Sequence, residues 1–184
     1  MTDDKENIRL EAEQARAKAE SERYRAYVQG VADKSDGLEI IQNKTAAHAG
    51  IIIATLFAKA REEVLAMSGC LNDTAYGCDD VIRNAIEFLR RGNVIMKIVV
   101  DKPVTSANNK FLAALHAAGV LDRVQLYHAN VRQPFHLMLA DKSHYRFQED
   151  TDTCEAIAQF GMSDLGALVP SFEKSLREST PYQP

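Results

Sequence analysis

At 184 residues, 46% of them hydrophobic, the chain is long enough to bury one substantial core. A formal charge of −4 and a pI near 5.7 argue against a dedicated nucleic-acid binder, which is ordinarily strongly basic. The charge is uneven, with 7 basic against 9 acidic residues over 1–36, 13 against 10 over 37–147 and 2 against 7 over 148–184. A mildly cationic middle, compatible with a phosphate-bearing ligand, therefore lies between acidic ends.

The opening MTDDKENIRL has no apolar stretch of the secretory kind. The longest apolar run, Ala49–Ala58, is about half a bilayer span. Cys70, Cys78 and Cys154 lack CxxC spacing, which suits a reducing compartment. The expectation is a soluble cytoplasmic protein.

Residues 4–32 are rich in Ala, Glu, Arg and Lys, all good helix formers. Ile8, Ala12, Ala15 and Ala19 form a stripe at 4-3-4 spacing, continued by Tyr24, Tyr27, Val28 and Val31. Alanine buries little area, so the stripe is thin and no strong coiled-coil seam is expected. The pattern predicts a long helix that lies on its own domain or pairs with a second subunit. KSDG at 34–37 breaks it, dividing the chain into an N-terminal helix over 1–36 and a domain over 37–180.

LEIIQN (38–43) reads as a strand, TAAHAGIIIATLFAKA (45–60) as a buried helix capped by Thr45, and EVLAMSGCL (63–71) as a strand ending in glycine. DDVIRNAIEFLRRG (79–92) is amphipathic, with Val81, Ile82, Ala85, Ile86 and Leu89 inside and Gly92 placed to stop the helix. VIMKIVV (94–100) is apolar enough for a strand buried on both faces. NNKFLAALHAAG (108–119) is another helix, and VQLYHA (124–129), FHLMLA (135–140) and HYRFQ (144–148) are strands. TCEAIAQFG (153–161) and SDLGALVPSFEKSLRES (163–179) are expected to be helical, the second interrupted near Pro170. The tail TPYQP (180–184) is expected to fray. Strand–helix alternation followed by a hairpin predicts an α/β sheet with helices on both faces.

Four phrases occur in a telling order: VLAMSGCLNDTAYG (64–77), AIEFLRRGNVIMKIVVDKP (85–103), FHLMLADKSHYRF (135–147) and FEKSLRES (172–179). Over roughly Leu38–Ser179 they resemble the phospholipase D-like superfamily. The resemblance implies a mixed sheet flanked by helices, and it sets the superfamily's HxKxxxxD signature on the hairpin. In that superfamily the histidine attacks phosphorus, the lysine holds a phosphate oxygen, and the aspartate sits at the far end of the strand. Covalent capture splits one hard displacement into two easier ones. Two copies of the motif are needed, so a single-copy chain typically dimerises.

Here the motif is degenerate. Aligned on Asp141, Pro134 takes the nucleophile's place and His136 the lysine's; aligned on His136, Met138 takes the lysine's and Ser143 the aspartate's. Proline carries no nucleophile, and methionine does not donate to phosphate. His48, His116, His128 and His144 are followed two residues on by Gly50, Ala118, Asn130 and Arg146, so only His144 has a cation at that spacing.

The register of the hairpin stays open. A two-residue loop at Asp141–Lys142 sets His136 with Met138, Tyr145 and Phe147, and His144 with Arg146 on the other face. A three-residue loop, Asp141–Ser143, gathers His136, His144 and Arg146 on one face. His128, His136 and His144 match no zinc-ligand spacing, so neither a metal nor another cofactor is expected. Cys70 and Cys78 read as ordinary thiols. SGCLND (68–73) follows a strand, where α/β sheets place ligand-contacting loops, so Ser68 and Asn72 are ligand-binding candidates, and His136 of the hairpin is the third.

The resulting expectation is a catalytically inactive phospholipase D-like binding or interaction module. It would be homodimeric, its N-terminal helix completing the dimer or docking a protein partner, with no membrane contact. Two alternatives stay open. One is an active phosphodiesterase or nuclease whose site joins His136, His144 and Arg146 across a dimer. The other is a nucleic-acid-binding protein that uses the cationic middle segment.

Overall fold

The computed structural model describes residues 2–184, with side chains described for all of them except residues 2–5 and Ile8. Helix α1 (Thr2–Lys34) stands largely clear of the domain, and every described side chain from Glu6 to Glu20 is exposed. Ala12, Ala15 and Ala19 therefore pack on nothing in this chain, and Ile8, which opens the expected stripe, lies outside the described side chains. The last turns anchor the helix. Val28, Val31 and Ala32 are buried in the main core, and the Tyr24 hydroxyl donates to Gln42 O at 2.9 Å while its ring stacks 3.8 Å from His48. Tyr27, unlike its neighbours Tyr24, Val28 and Val31, faces out. The helix stops where Ser35 and Gly37 take φ values of 49° and 70°.

The domain then runs β1 (Ile41–Asn43), α2 (Ala46–Lys59), β2 (Glu63–Ser68), α3 (Asp79–Arg90), β3 (Ile95–Val100), α4 (Lys110–Ala117), β4 (Val124–Ala129), β5 (His136–Ala140), β6 (His144–Gln148), β7 (Ala156–Phe160), α5 (Leu168–Arg177) and β8 (Ser179–Tyr182). One mixed sheet holds all the strands in the order β1-β7-β6-β5-β2-β3-β4-β8. β2, β3 and β4 are parallel neighbours, and every other pairing is antiparallel.

Alternation along the strands builds two cores. Val64 and Ala66 of β2, Met96, Ile98 and Val100 of β3, and Met138 of β5 pack under α1–α4. Leu65, Met67, Val99, Leu137 and Leu139 point the other way, onto Phe172 of α5. No helix among the described residues is long and apolar enough to cross a membrane.

Three expectations are corrected. TCEAIAQFG is not helical: Ala156–Phe160 form β7, buried at alternate positions and paired with both β6 and β1. Its period-2 pattern outweighs the helix propensity of its alanines. Pro170 does not interrupt α5, because it falls in the first turn, where its missing N–H costs nothing. The tail does not fray: Ser179–Tyr182 add β8 to the sheet edge beside β4, and the Tyr182 hydroxyl accepts from Val104 N at 3.2 Å.

The hairpin loop has three residues. Ala140 pairs with His144, Met138 with Arg146 and His136 with Gln148. Asp141 and Lys142 turn the chain with φ of 52° and 54°. The Asp141 carboxylate accepts from Arg61 N (2.6 Å), Glu62 N (2.8 Å) and Glu63 N (2.9 Å), tying the loop to the start of β2. Charge-assisted bonds of this kind are stronger than neutral ones. Asp141→Ala is expected to lower the unfolding free energy by about 3 kcal/mol, and Asp141→Asn, which tolerates the left-handed φ and keeps one acceptor, by about half of that. Denaturant melts check this, and an unchanged midpoint in Asp141→Ala contradicts it.

Candidate anion-binding cavity

A cavity of about 510 Å³ opens where the parallel strands end, with Ser68 at the end of β2, Asp101 after β3, His136 at the start of β5 and Ala46 at the first turn of α2 on its walls. Open α/β sheets place ligand sites in this position, at the carboxyl ends of their strands. Thr45 caps α2, its hydroxyl accepting from His48 N at 3.1 Å. The positive end of that helix's peptide dipoles therefore lies on the cavity wall.

Arg146, from β6, is the central feature. It is only 7% exposed, and among the described residues it makes no ion pair. Its Nε donates to Asn43 Oδ1 at 3.2 Å and Nη2 to Gln148 Oε1 at 2.9 Å. Both amides are themselves oriented by the loop after β6. Asn43 Nδ2 donates to Cys154 O at 2.5 Å, and Gln148 Nε2 donates to Thr153 O at 2.8 Å and Asp150 O at 3.1 Å.

A guanidinium has five N–H donors, so donors remain. Nη1 has no hydrogen-bond partner among the described residues, yet no buried side-chain nitrogen or oxygen there is both sealed and unpaired, so Nη1 is accessible, and Arg146 lines the cavity. Burial pulls the Arg146 pKa down from its ordinary value, but an arginine stays charged in a protein. A desolvated charge with no carboxylate beside it is costly. An anion in the cavity would offset that cost.

His136 also lines the cavity. Its ring lies against Gly69, where an added Cβ would come 3.3 Å from Nε2. Burial holds the imidazole below its ordinary pKa, Arg146 and Arg132 push the same way, and Asp101 opposes them. Burial thus favours the uncharged ring.

Ser68 and Asn72, the other two candidates, line the same cavity and are also used by the backbone. Ser68 Oγ accepts from Leu71 N at 3.3 Å, and Asn72 Oδ1 from Thr74 N at 2.7 Å. His144 shares the sheet face of His136 but opposes Ala140 at the far end of the hairpin, about 13 Å along the strand at the usual rise per residue. There Nδ1 accepts from Gly161 N at 2.8 Å. Within one chain, then, His136 and Arg146 come together and His144 does not. Pro134 is exposed and outside the cavity, so the residue aligned with the nucleophile contributes nothing to it.

Other residues of the site were not singled out from sequence. Asp101 and Lys102 follow β3, and the rule that pointed to Ser68 at the end of β2 applies to them equally. Asp101 Oδ1 accepts from Gln133 N at 2.9 Å, while Lys102 is exposed at the rim. Arg132 reaches across the opening to Thr151 Oγ1 (3.0 Å) and Asp152 Oδ1 (2.9 Å). Asn43 and Gln148, which hold Arg146, carry no local signal at all. Among the described residues no three His, Cys, Asp or Glu side chains gather as metal ligands.

Several solved structures share this architecture. Nuc from Salmonella typhimurium, a phospholipase D family member, aligns with a TM-score of 0.55 at 14% identity, covering 79% of this chain and 97% of that one. NucT from Helicobacter pylori aligns with a TM-score of 0.52 at 12% identity, over 78% of this chain and 100% of that one. TrmBL2, an archaeal chromatin protein with a novel mode of DNA binding, gives 0.53 at 15% identity over 94% of this chain and 68% of that one. No protein-family model matches the sequence, and no curated protein does. Identities this low speak to the fold alone: the chain has a phospholipase D-like fold.

Proposed function

We propose that this chain is a phospholipase D-like binding module that holds a phosphoryl-type anion on Arg146 and does not turn it over. The observation that carries this reading is the buried guanidinium, ion-paired with no described residue, which lines the cavity with its Nη1 unbonded and accessible. The α2 N-terminus, Ser68 and the rim cation Lys102 add to it. Turnover by the superfamily's route needs a histidine and a lysine on one strand face, and here the residue two beyond His136 is Met138. Titration calorimetry with inorganic phosphate at constant ionic strength is expected to give saturable one-to-one binding. No heat of binding up to millimolar phosphate would overturn the reading.

His136 makes that binding depend on pH. A bound anion favours the protonated imidazole and raises its depressed pKa. Affinity therefore grows as pH falls from the pKa of the complex to that of the free protein, and levels off on either side. Sulfate, whose own charge is constant over this range, is the probe: its affinity should rise several-fold between pH 7.5 and pH 5, about one pKa unit of coupling giving tenfold. His136→Asn should flatten the profile, and an unaltered slope in that variant would contradict the assignment.

One observation favours a second reading, an active phosphodiesterase: His136 and Arg146 line the same cavity from one sheet face, and burial favours the uncharged imidazole that a nucleophile needs. Hydrolysis of bis(4-nitrophenyl) phosphate, abolished by His136→Ala, would establish it in place of the first. The DNA binding of TrmBL2 and the cationic middle segment support a nucleic-acid role, for which affinity should fall steeply with added salt.

The stretch of α1 over Glu6–Glu20, whose described side chains are all exposed, is our proposed site of homodimer or partner contact, since an isolated helix of about 15 residues is marginal in water. Deleting residues 1–20 is expected to leave the melting temperature within about 2 °C while halving the mass in sedimentation. A monomeric full-length chain would contradict the homodimer and leave only the contact with a protein partner.

A further inference from the structure

The Arg146 cavity also constrains what the anion is attached to. At about 510 Å³ it falls within the roughly 300–1,000 Å³ typical of small-molecule sites, which leaves most of the space unfilled by a phosphoryl group alone. Arg146 is 7% exposed, with Nε and Nη2 already committed, so an incoming group meets only the rest of one guanidinium. An internal phosphodiester would have to bring two ester arms down to that depth and out again. A terminal phosphate enters end-on, with three free oxygens. It also carries about −1.5 to −2 charge near neutral pH, against −1 for a diester, and so better offsets a buried cation.

The walls differ in character. α2 and the segment before α3 contribute Ala46, Ala49, Ile53 and Ala75, which are apolar and mostly small, while His136 and Thr153 supply polar groups. Small side chains along α2 leave room for an apolar surface to lie flat.

We propose that the cavity takes a small organic phosphomonoester, its terminal phosphate on Arg146 and its organic part along the Ala46–Ala49–Ala75 wall. The proposal rests on the anion-binding reading and narrows it to one ligand class.

Calorimetry on the full chain with phenyl phosphate, methyl phenyl phosphate and inorganic phosphate tests it. Phenyl phosphate is expected to bind about tenfold more tightly than inorganic phosphate. Methyl phenyl phosphate should bind most weakly of the three. Ala46→Leu, at a half-buried position on the first turn of α2, should erase the advantage of phenyl phosphate over inorganic phosphate, read as the ratio of the two affinities. The comparison on the unmodified chain is decisive even if that variant misfolds. A diester that binds as well as the monoester, or a phenyl group that adds nothing, would overturn the proposal and leave the anion site standing, provided Arg146→Gln still abolishes phosphate binding. If none of the three binds, both fall.

Discussion

Gly161→Ala is expected to cost about 4 kcal/mol or more, which is most of the stability of a domain at the low end of the usual range of about 5–15 kcal/mol. Gly161 follows β7 with φ of +81°, where a side chain is strained, and a Cβ there would run into the backbone of Ser35. Ser35 cannot simply move aside. It belongs to the turn that ends α1, and this turn is bonded back through Gly37 N to Phe160 O (2.9 Å) and Gln159 Nε2 to Gly37 O (3.1 Å). Gly161 N in turn donates to His144 Nδ1 at 2.8 Å, and Met162 N to Ser143 O at 2.7 Å, so the same glycine knits the hairpin loop to the α1 turn. Gly92→Ala is the control, since it has positive φ but open space around it. It should pay only the conformational part, about 1 kcal/mol. Equal losses in the two variants, read by urea unfolding, would show that the close approach at Ser35 does not matter.

Arg146→Gln is expected to weaken phosphate binding at least about thirtyfold. This is the lower end of the 2–5 kcal/mol lost when one member of a buried, hydrogen-bonded charge pair is removed. The same change should not lower the thermal midpoint of the free protein. With no ion-pair partner among the described residues, Arg146 carries a desolvation cost that the neutral amides of Asn43 and Gln148 offset only in part. Arg146→Lys should fall between, keeping the charge but losing the planar fork that Asn43 and Gln148 hold. A midpoint that drops sharply while phosphate affinity is unchanged would make Arg146 a structural residue and nothing more.

The strands were readable where a period dominated. VQLYHA and HYRFQ fall at their observed bounds, and Thr45 caps α2 as its position before the apolar run suggests. AIAQF was misread because its alanines favour helix, and the feature that decides the matter, pairing on both sides, is non-local. TPY looked like a loose end because β8 is held by a strand more than fifty residues upstream. His136, taken from the hairpin motif, and Ser68 and Asn72, taken from the SGCLND segment, line one cavity in the structure. Arg146 was visible as a residue, but its burial was not: that depends on the three-residue loop, which Asp141 stabilises through the distant start of β2. Asn43 and Gln148 meet Arg146 only once β1, β7 and β6 are aligned, and no local spacing encodes that meeting.

Phosphorus NMR of phenyl phosphate and methyl phenyl phosphate mixed with the full-length protein puts binding and turnover in one sample. The account predicts a phenyl phosphate resonance that broadens or shifts with added protein, returns to its free position with Arg146→Gln, and yields no product signal over days. Sharp, unmoved lines would mean that no phosphoryl group occupies the cavity. A growing product peak that vanishes in His136→Ala would mean that the site works as an enzyme after all.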